Sequence, residues 1–179
     1  MSRAARYFAV VGAGALLAAS LPPWGFWPLA FVGIAIFARV SGSFDRTRGR
    51  FVAGFLFALA WFAPGMGWMW HLTAPGYLIA VPLFAALHGV ATVISARARH
   101  FVVAAPLAHT LAEALRFSTP FGGVPLATLA ISQADSPSVH LAAIGGPIVL
   151  SWFVFQVGFV AVELLEQRNL RRTLVAVVC

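Results

Sequence analysis

The sequence predicts an all-α integral membrane protein, a bundle of six transmembrane helices plus the start of a seventh, with its N-terminus in the cytoplasm. Three observations carry that prediction. The 179 residues are 61% apolar and only 9% charged, with a mean hydropathy of +0.90, whereas a soluble domain carries about a quarter charged residues because its surface must face water. The apolar residues gather into runs close to the roughly 20 that a helix needs to cross a hydrocarbon core about 30 Å thick. All twelve basic residues are arginine, and they fall between the runs rather than in one patch.

The runs are Tyr7–Leu21, Trp24–Val40, Phe51–Trp70, Gly76–Ser95, Phe101–Phe117 and Pro147–Leu165. The second is short, and the third is broken near Pro64-Gly65. A seventh begins at Leu174 and reaches only Cys179. None alternates apolar with polar residues as the strands of a closed barrel would. Arg3 and Arg6, an apolar stretch and then Ala18-Ala19-Ser20 also fit a signal peptide. Such a peptide precedes an exported domain, but five further spans follow, so an uncleaved first helix is expected.

Orientation follows from the arginines, because cytoplasmic loops collect basic residues. With the N-terminus inside, Arg3, Arg6, Arg39, Arg46, Arg48, Arg50, Arg97, Arg99, Arg168, Arg171 and Arg172 all lie on the inner side, and only Arg116 lies outside. The outer loops are then Pro22–Pro28, the region from Trp68 to Pro75, and the long segment Ser118–Gly146. The first two are rich in tryptophan, which favours the headgroup layer. The third is apolar but full of Gly and Pro, an irregular segment tolerable at membrane depth only when buried in protein or lining a cavity. No internal repeat or linker divides the chain, so residues 1–179 form one transmembrane domain.

Composition excludes several activities. The net charge of +7 and the pI near 11.5 would suit nucleic acid if the cations were clustered; spread between apolar runs, they read as loop charge, and no nucleic acid is expected. Without a lysine there is no Schiff-base or P-loop chemistry. Cys179 is the only cysteine, so there is no disulfide framework and no CxxC knuckle. No GxSxG, GxGxxG or Walker pattern appears. Asp135-Ser136-Pro137 reads as a turn.

Candidate chemistry concentrates on the fifth run. His109, Glu113 and Arg116 lie at i, i+4 and i+7, on one helix face. Two readings stay open: a polar wall near the outer mouth in contact with a lipid headgroup, or a Glu113–Arg116 pair snorkelling to the interface. His109 and Glu113 also have ligand spacing, but His71, His88, His140 and Asp135 offer no third ligand at a recognisable spacing, so no metal and no cofactor is expected. His88, midway along the fourth run, reads as a hydrogen-bonded interior histidine. Polar residues are expected to gather near the outer side, which disfavours a transporter.

Several segments resemble the apolipoprotein N-acyltransferase family, in collinear order from about Leu17 to Arg172. Leu21-Pro22-Pro23-Trp24-Gly25-Phe26-Trp27-Pro28-Leu29-Ala30 resembles that family's first outer loop and second helix, and Gly54-Phe55-Leu56-Phe57 through Gly67-Trp68 its third helix and exit. Ala105-Pro106-Leu107 with Glu113-Ala114-Leu115-Arg116 resembles its fifth helix. Pro120-Phe121-Gly122-Gly123-Val124-Pro125 and Ser132-Gln133 resemble its GFPW…GYSQ segment, and Leu141-Ala142-Ala143-Ile144-Gly145-Gly146 its entry to the sixth helix. The chain departs from the pattern at Ala114, Leu126 and Ile131, where the family has Trp, Trp and Tyr. Those losses remove amphipathic rings suited to the headgroup level.

The resemblance implies the membrane module of an enzyme of the bacterial inner membrane that moves an acyl chain from a phospholipid to a lipoprotein. That family works through a thioester on a nitrilase-like domain with a Glu-Lys-Cys triad, covalent catalysis that divides one hard transfer into two easier ones. No such triad can be built here, so the chain is expected to be a truncated module, silent by itself, with no catalytic residue. Its partners would be membrane phospholipid and lipoprotein within a complete enzyme. Carried over by position, the residues facing lipid or substrate are Trp68, Glu113, Arg116, Pro125, Ser132 and Gln133. The alternative is a non-catalytic scaffold for a separate enzyme, such as a polyprenol-phosphate mannosyltransferase; a small transporter is a third.

Overall fold

The computed structural model describes residues 1–119 and 123–178, with side chains described to residue 167. Within them the secondary structure is helical and no strand occurs. Helix α1 spans Arg3–Ala19, α2 Pro28–Ser41, α3 Thr47–Gly65, the single turn α4 Met69–Leu72, α5 Ala74–Ser95, α6 Phe101–Ser118 and α7 Ala142–Val178. Short 3-10 turns at Ile131–Gln133 and Pro137–Leu141 lie in the long segment between α6 and α7.

Local chemistry sets the helix ends. Ser2 Oγ accepts from the Ala5 amide, so α1 starts at Arg3, earlier than its apolar run. Pro28 occupies the first turn of α2, leaving Trp24–Trp27 outside the helix. Thr73 caps α5 through the Gly76 amide. The expected break in the third run falls where α3 stops at Gly65. There Tyr77 Oη donates to the Ala63 carbonyl (2.8 Å), which has lost its helical partner.

Two expectations need correction. The sixth run is longer than Pro147–Leu165: α7 already begins at Ala142, and the chain leaves helical geometry at Gly145 and Gly146 before resuming at Pro147. The backbone then continues without a break to Val178, so the stretch from Leu174 is the end of α7 rather than the start of a seventh span. Nothing between Gly158 and Val178 is a Gly or a Pro that would stop it. Of the loop motif, Pro120, Phe121 and Gly122 lie outside the described residues, as does Cys179.

The six longer helices among the described residues pack as neighbours around a closed circuit: α1 on α2, α2 on α7, α7 on α6, α6 on α5, α5 on α3, and α3 back on α1. Small residues permit the close crossings. A Cβ on Gly14 would fall 2.0 Å from the Phe57 carbonyl oxygen, and one on Gly54 would fall 2.2 Å from Thr92 Oγ1 and 2.6 Å from the His88 carbonyl. The interior is aromatic, with Phe37, Phe57, Trp61, Phe62, Phe84 and Phe155 fully enclosed.

Among the described residues two segments are long and apolar enough to cross a membrane, Ala74–Ser95 and Pro137–Gln167. The others are shorter or carry polar groups, and α6 shows how those groups are arranged. Val103, Leu107, Leu111 and Leu115 form its exposed row, while His109, Thr110, Glu113 and Arg116 face the interior. Helix α5 repeats the pattern, with Leu78, Ile79, Leu83, Val90 and Ile94 outside and His88, Thr92 and Ser95 inside.

A buried charge network and candidate functional site

The site is built on those inward faces of α5 and α6. The four-residue step from His109 to Glu113, and the three to Arg116, stack these side chains along one stripe. Glu113 and Arg116 are 0% and 1% exposed. The pair therefore does not snorkel to an interface; it is sealed between α6, the loop after it and the aromatic core. Arg116 Nε donates to Glu113 Oε1 (3.2 Å). Arg116 Nη2 lies 3.1 Å from the same oxygen, at an angle that makes no hydrogen bond. The guanidinium covers the rings of Phe62 and Phe84, at 4.5 and 5.5 Å from their centroids.

What the pair grips is backbone. Arg116 Nη1 donates to the Leu126 carbonyl (3.0 Å), and the Leu129 amide donates to Glu113 Oε2 (3.0 Å). The segment between, Ala127-Thr128-Leu129-Ala130, is buried. Ala127 holds a left-handed φ of 60°, uncommon without glycine. The loop is also tied at its start: the Val124 amide bonds the Arg116 carbonyl (2.9 Å). Gly123 has φ +86°, and a Cβ there would fall 2.1 Å from the Phe117 carbonyl oxygen. Only glycine allows the chain to fold back so closely over the end of α6.

Ser132 and Gln133 extend the same network. Ser132 Oγ donates to the Leu129 carbonyl (2.6 Å), while Gln133 Nε2 donates to Ser132 Oγ (3.0 Å) and to the Trp27 carbonyl (3.4 Å). Ser138 Oγ donates to Gln133 Oε1 (3.1 Å). The loop is thereby joined to the segment that starts α2.

Of the six residues singled out from sequence, the structure brings four together. Glu113, Arg116, Ser132 and Gln133 are buried, so none of these side chains presents itself to the outside. Trp68, 40% exposed, and Pro125, also exposed, do reach the surface.

Below Glu113 the polar chain goes deeper than expected. His88 Nε2 lies 3.7 Å from Glu113 Oε1, beyond hydrogen-bond reach. His88 Nδ1 and His109 Nδ1 are 2.9 Å apart, one donating and the other accepting. His109 Nε2 is 3.5 Å from Thr92 Oγ1, which donates to the His88 carbonyl (2.8 Å). His88 is thus the hydrogen-bonded interior histidine its position suggested. Polar groups do not gather only at one end, since Thr92 and Ser95 carry the buried stripe along α5. Aromatic rings enclose it: Phe155 stacks on His109 (5.3 Å), Phe37 meets it edge-on (5.3 Å), and Trp61 and Phe62 flank His88 (both 5.4 Å). Among the described residues no group of three or more His, Cys, Asp or Glu side chains is placed to hold a metal ion.

Sequence reasoning missed the partners of these groups. The Leu126 carbonyl and Leu129 amide are backbone, without a residue-type signature, and the Phe62 and Phe84 platform comes from two other helices.

Two helices, α5 and α6, with apolar rows outward and charge and imidazole inward, and an ion pair clamping an irregular loop, define a helical bundle with a buried polar stripe inside an aromatic core. The chain belongs to the apolipoprotein N-acyltransferase N-terminal domain family, which matches residues 13–160. An apolipoprotein N-acyltransferase of Mycolicibacterium smegmatis is 31% identical over 164 residues, covering 89% of this chain and 28% of that protein. One from Rhizobium rhizogenes is 28% identical, covering 80% of the chain and 32% of the relative. One from Pasteurella multocida is 26% identical, covering 89% and 33%. The chain therefore spans about a third or less of the length of these relatives.

Proposed function

We propose that these residues form the multi-pass membrane module of a lipoprotein N-acyltransferase in the bacterial inner membrane. In this reading residues 1–179 are one domain, and α1, α2, α3, α5, α6 and α7 each cross the bilayer, with the N-terminus in the cytoplasm. The outward rows of α5 and α6 favour it, because a soluble helix buries its apolar stripe and exposes its charges; here the order is reversed. Shorter helices are accommodated by aromatic residues such as Trp24 and Phe26, exposed at the end of the α1–α2 connection.

The observation that carries the functional reading is that the family-like segments meet in one network. Trp27, Glu113, Arg116, Leu126, Leu129, Ser132 and Gln133 are joined by the hydrogen bonds described above. The module's part is to hold an outer loop rigid at the bilayer surface, where phospholipid and lipoprotein are brought to the acyl-carrying group. Glu113, Arg116, Ser132 and Gln133 position the loop, and Pro125 and Trp68 meet lipid. The 179 residues contain no lysine, so a Glu-Lys-Cys triad is supplied from outside them, by further chain or by a separate catalytic protein.

The test uses a bacterium depleted of its own N-acyltransferase. The chain joined to a nitrilase-type catalytic domain of the family is expected to restore the third acyl chain on a reporter lipoprotein, read by mass spectrometry of its N-terminal peptide. No N-acylation from a stably expressed, membrane-inserted fusion would refute the functional reading. Reporter fusions after Ser43, Leu72, Ala98 and Ala134 should read inside, outside, inside and outside; another order would sink the topology.

A further inference from the structure

At the opposite end of the bundle from the clamped loop, the first turns of α1 and α3 meet around a cavity of about 280 Å³. Arg3, Arg6 and Arg46 line it, with Asp45 as the one carboxylate among its lining residues. Among the described residues no ion pair joins Asp45 to any of these arginines. We propose that this cavity binds a phosphate oxyanion, carried by an anionic phospholipid headgroup or free in solution.

Three features favour an anion over water alone. Arg6 is pre-positioned: Nη1 donates to the Ser43 carbonyl, and the guanidinium lies 5.2 Å from the Phe44 ring centroid. The floor beneath is fixed, since Tyr7 packs on Phe44 (5.1 Å) and Arg50 Nε holds the Phe44 carbonyl (2.7 Å). Finally, α3 opens toward the cavity uncapped. Arg46 at its N-cap makes no side-chain cap bond, its first turn has no acidic residue, and Gly49 of that turn lines the cavity. Free amides and the positive end of the helix dipole add to three guanidinium groups.

Arginines that serve only to mark a cytoplasmic loop need no common cavity, and Arg97 and Arg99, exposed beyond α5, provide the comparison. Phosphate suits the site because guanidinium forks and backbone amides both match its oxygens. The inference does not depend on acyl transfer, and its failure would leave that reading untouched.

The full chain would be placed in nanodiscs of phosphatidylcholine with or without phosphatidylglycerol, and retained lipid read by native mass spectrometry. In a parallel arm, inorganic phosphate would be titrated calorimetrically into the phosphatidylcholine discs. Phosphatidylglycerol is expected to be retained over phosphatidylcholine. Arg3→Gln and Arg46→Gln, at exposed side chains that leave the Arg6–Ser43 bond intact, should each weaken retention about fivefold. Asp45→Asn should strengthen it, and Arg97→Gln with Arg99→Gln should change nothing. Phosphate binding with the same arginine dependence but no lipid preference supports the oxyanion site and assigns it to a soluble source. No preference in either arm, or an equal loss in the Arg97/Arg99 control, overturns the proposal.

Discussion

Glu113 and Arg116 sit three residues apart on one helix, pair within the bundle interior, and each hydrogen-bond the backbone of a loop 10 to 16 residues downstream. A buried ion pair is a poor source of stability in itself, because desolvation offsets most of the attraction. Its consequence here is conformational: one carboxylate and one guanidinium fix both the carbonyl of Leu126 and the amide of Leu129.

Removing one partner should therefore be worse than removing both. Glu113→Ala or Arg116→Ala leaves a buried uncompensated charge and is expected to cost about 3–5 kcal/mol, read as a lowered Tm in detergent. Glu113→Gln with Arg116→Met should recover part of that loss. In each single variant, a cysteine placed at Thr128, buried in the parent, should become reactive to maleimide in a Cys179→Ser background. Unchanged labelling would mean that the pair does not hold the loop.

The helices were legible as apolar runs more than by their ends. The break at Pro64-Gly65 marks a real boundary, whereas α2 starts at Pro28 rather than Trp24 and α5 at Ala74 rather than Gly76; the His109–Glu113–Arg116 stripe follows from helical spacing alone. What the stripe faces was not legible. Spacing placed Glu113 beside Arg116 but left open whether they turned outward, and only the packing of α3, α5 and the 126–129 loop decides that they turn inward. The His88–His109 bond joins residues 21 apart on two helices; a single sequence holds no sign of such a pairing. The length of α7 was not legible for a different reason. Arginines between two apolar stretches read as a loop, yet nothing in Glu166–Thr173 breaks a helix backbone.

The α3–α5 crossing depends on the absence of a side chain at Gly54. In Gly54→Ala the new Cβ meets Thr92 Oγ1 and the His88 carbonyl, and the two helices must separate. Overpacking of this kind costs about 1–3 kcal/mol. Adding Thr92→Ala should relieve only part of it, because the His88 carbonyl remains. Gly12, which has nothing within 4 Å of its Cβ position, is the control: Gly12→Ala should leave Tm unchanged or raise it, by up to about 1 kcal/mol of helix propensity.

Ala127 offers a test of backbone strain. Its left-handed φ costs about 1–2 kcal/mol with any Cβ, while losing a buried methyl costs about 0.8 kcal/mol. Ala127→Gly should thus be close to neutral in Tm. Ala127→Val adds β-branching to the same conformation and should be the most damaging single change in the loop. Equal tolerance of Gly and Val would show that the loop does not keep this turn.

The two histidines make the last prediction, and it turns on what each leaves behind. Changing His88 to Phe removes the partner of His109 Nδ1, and an unpaired buried polar group costs about 1–3 kcal/mol. His109→Phe does the same to His88 Nδ1. Replacing both removes both orphaned groups, and phenylalanine suits an enclosure already made by Phe37, Phe155, Trp61 and Phe62. The double variant should therefore be more stable than either single one. If the pair served catalysis or proton movement as well as packing, the double variant would keep its Tm but lose lipoprotein N-acylation in the fusion assay. Retained acylation with a retained Tm would assign the pair to the architecture of the bundle alone.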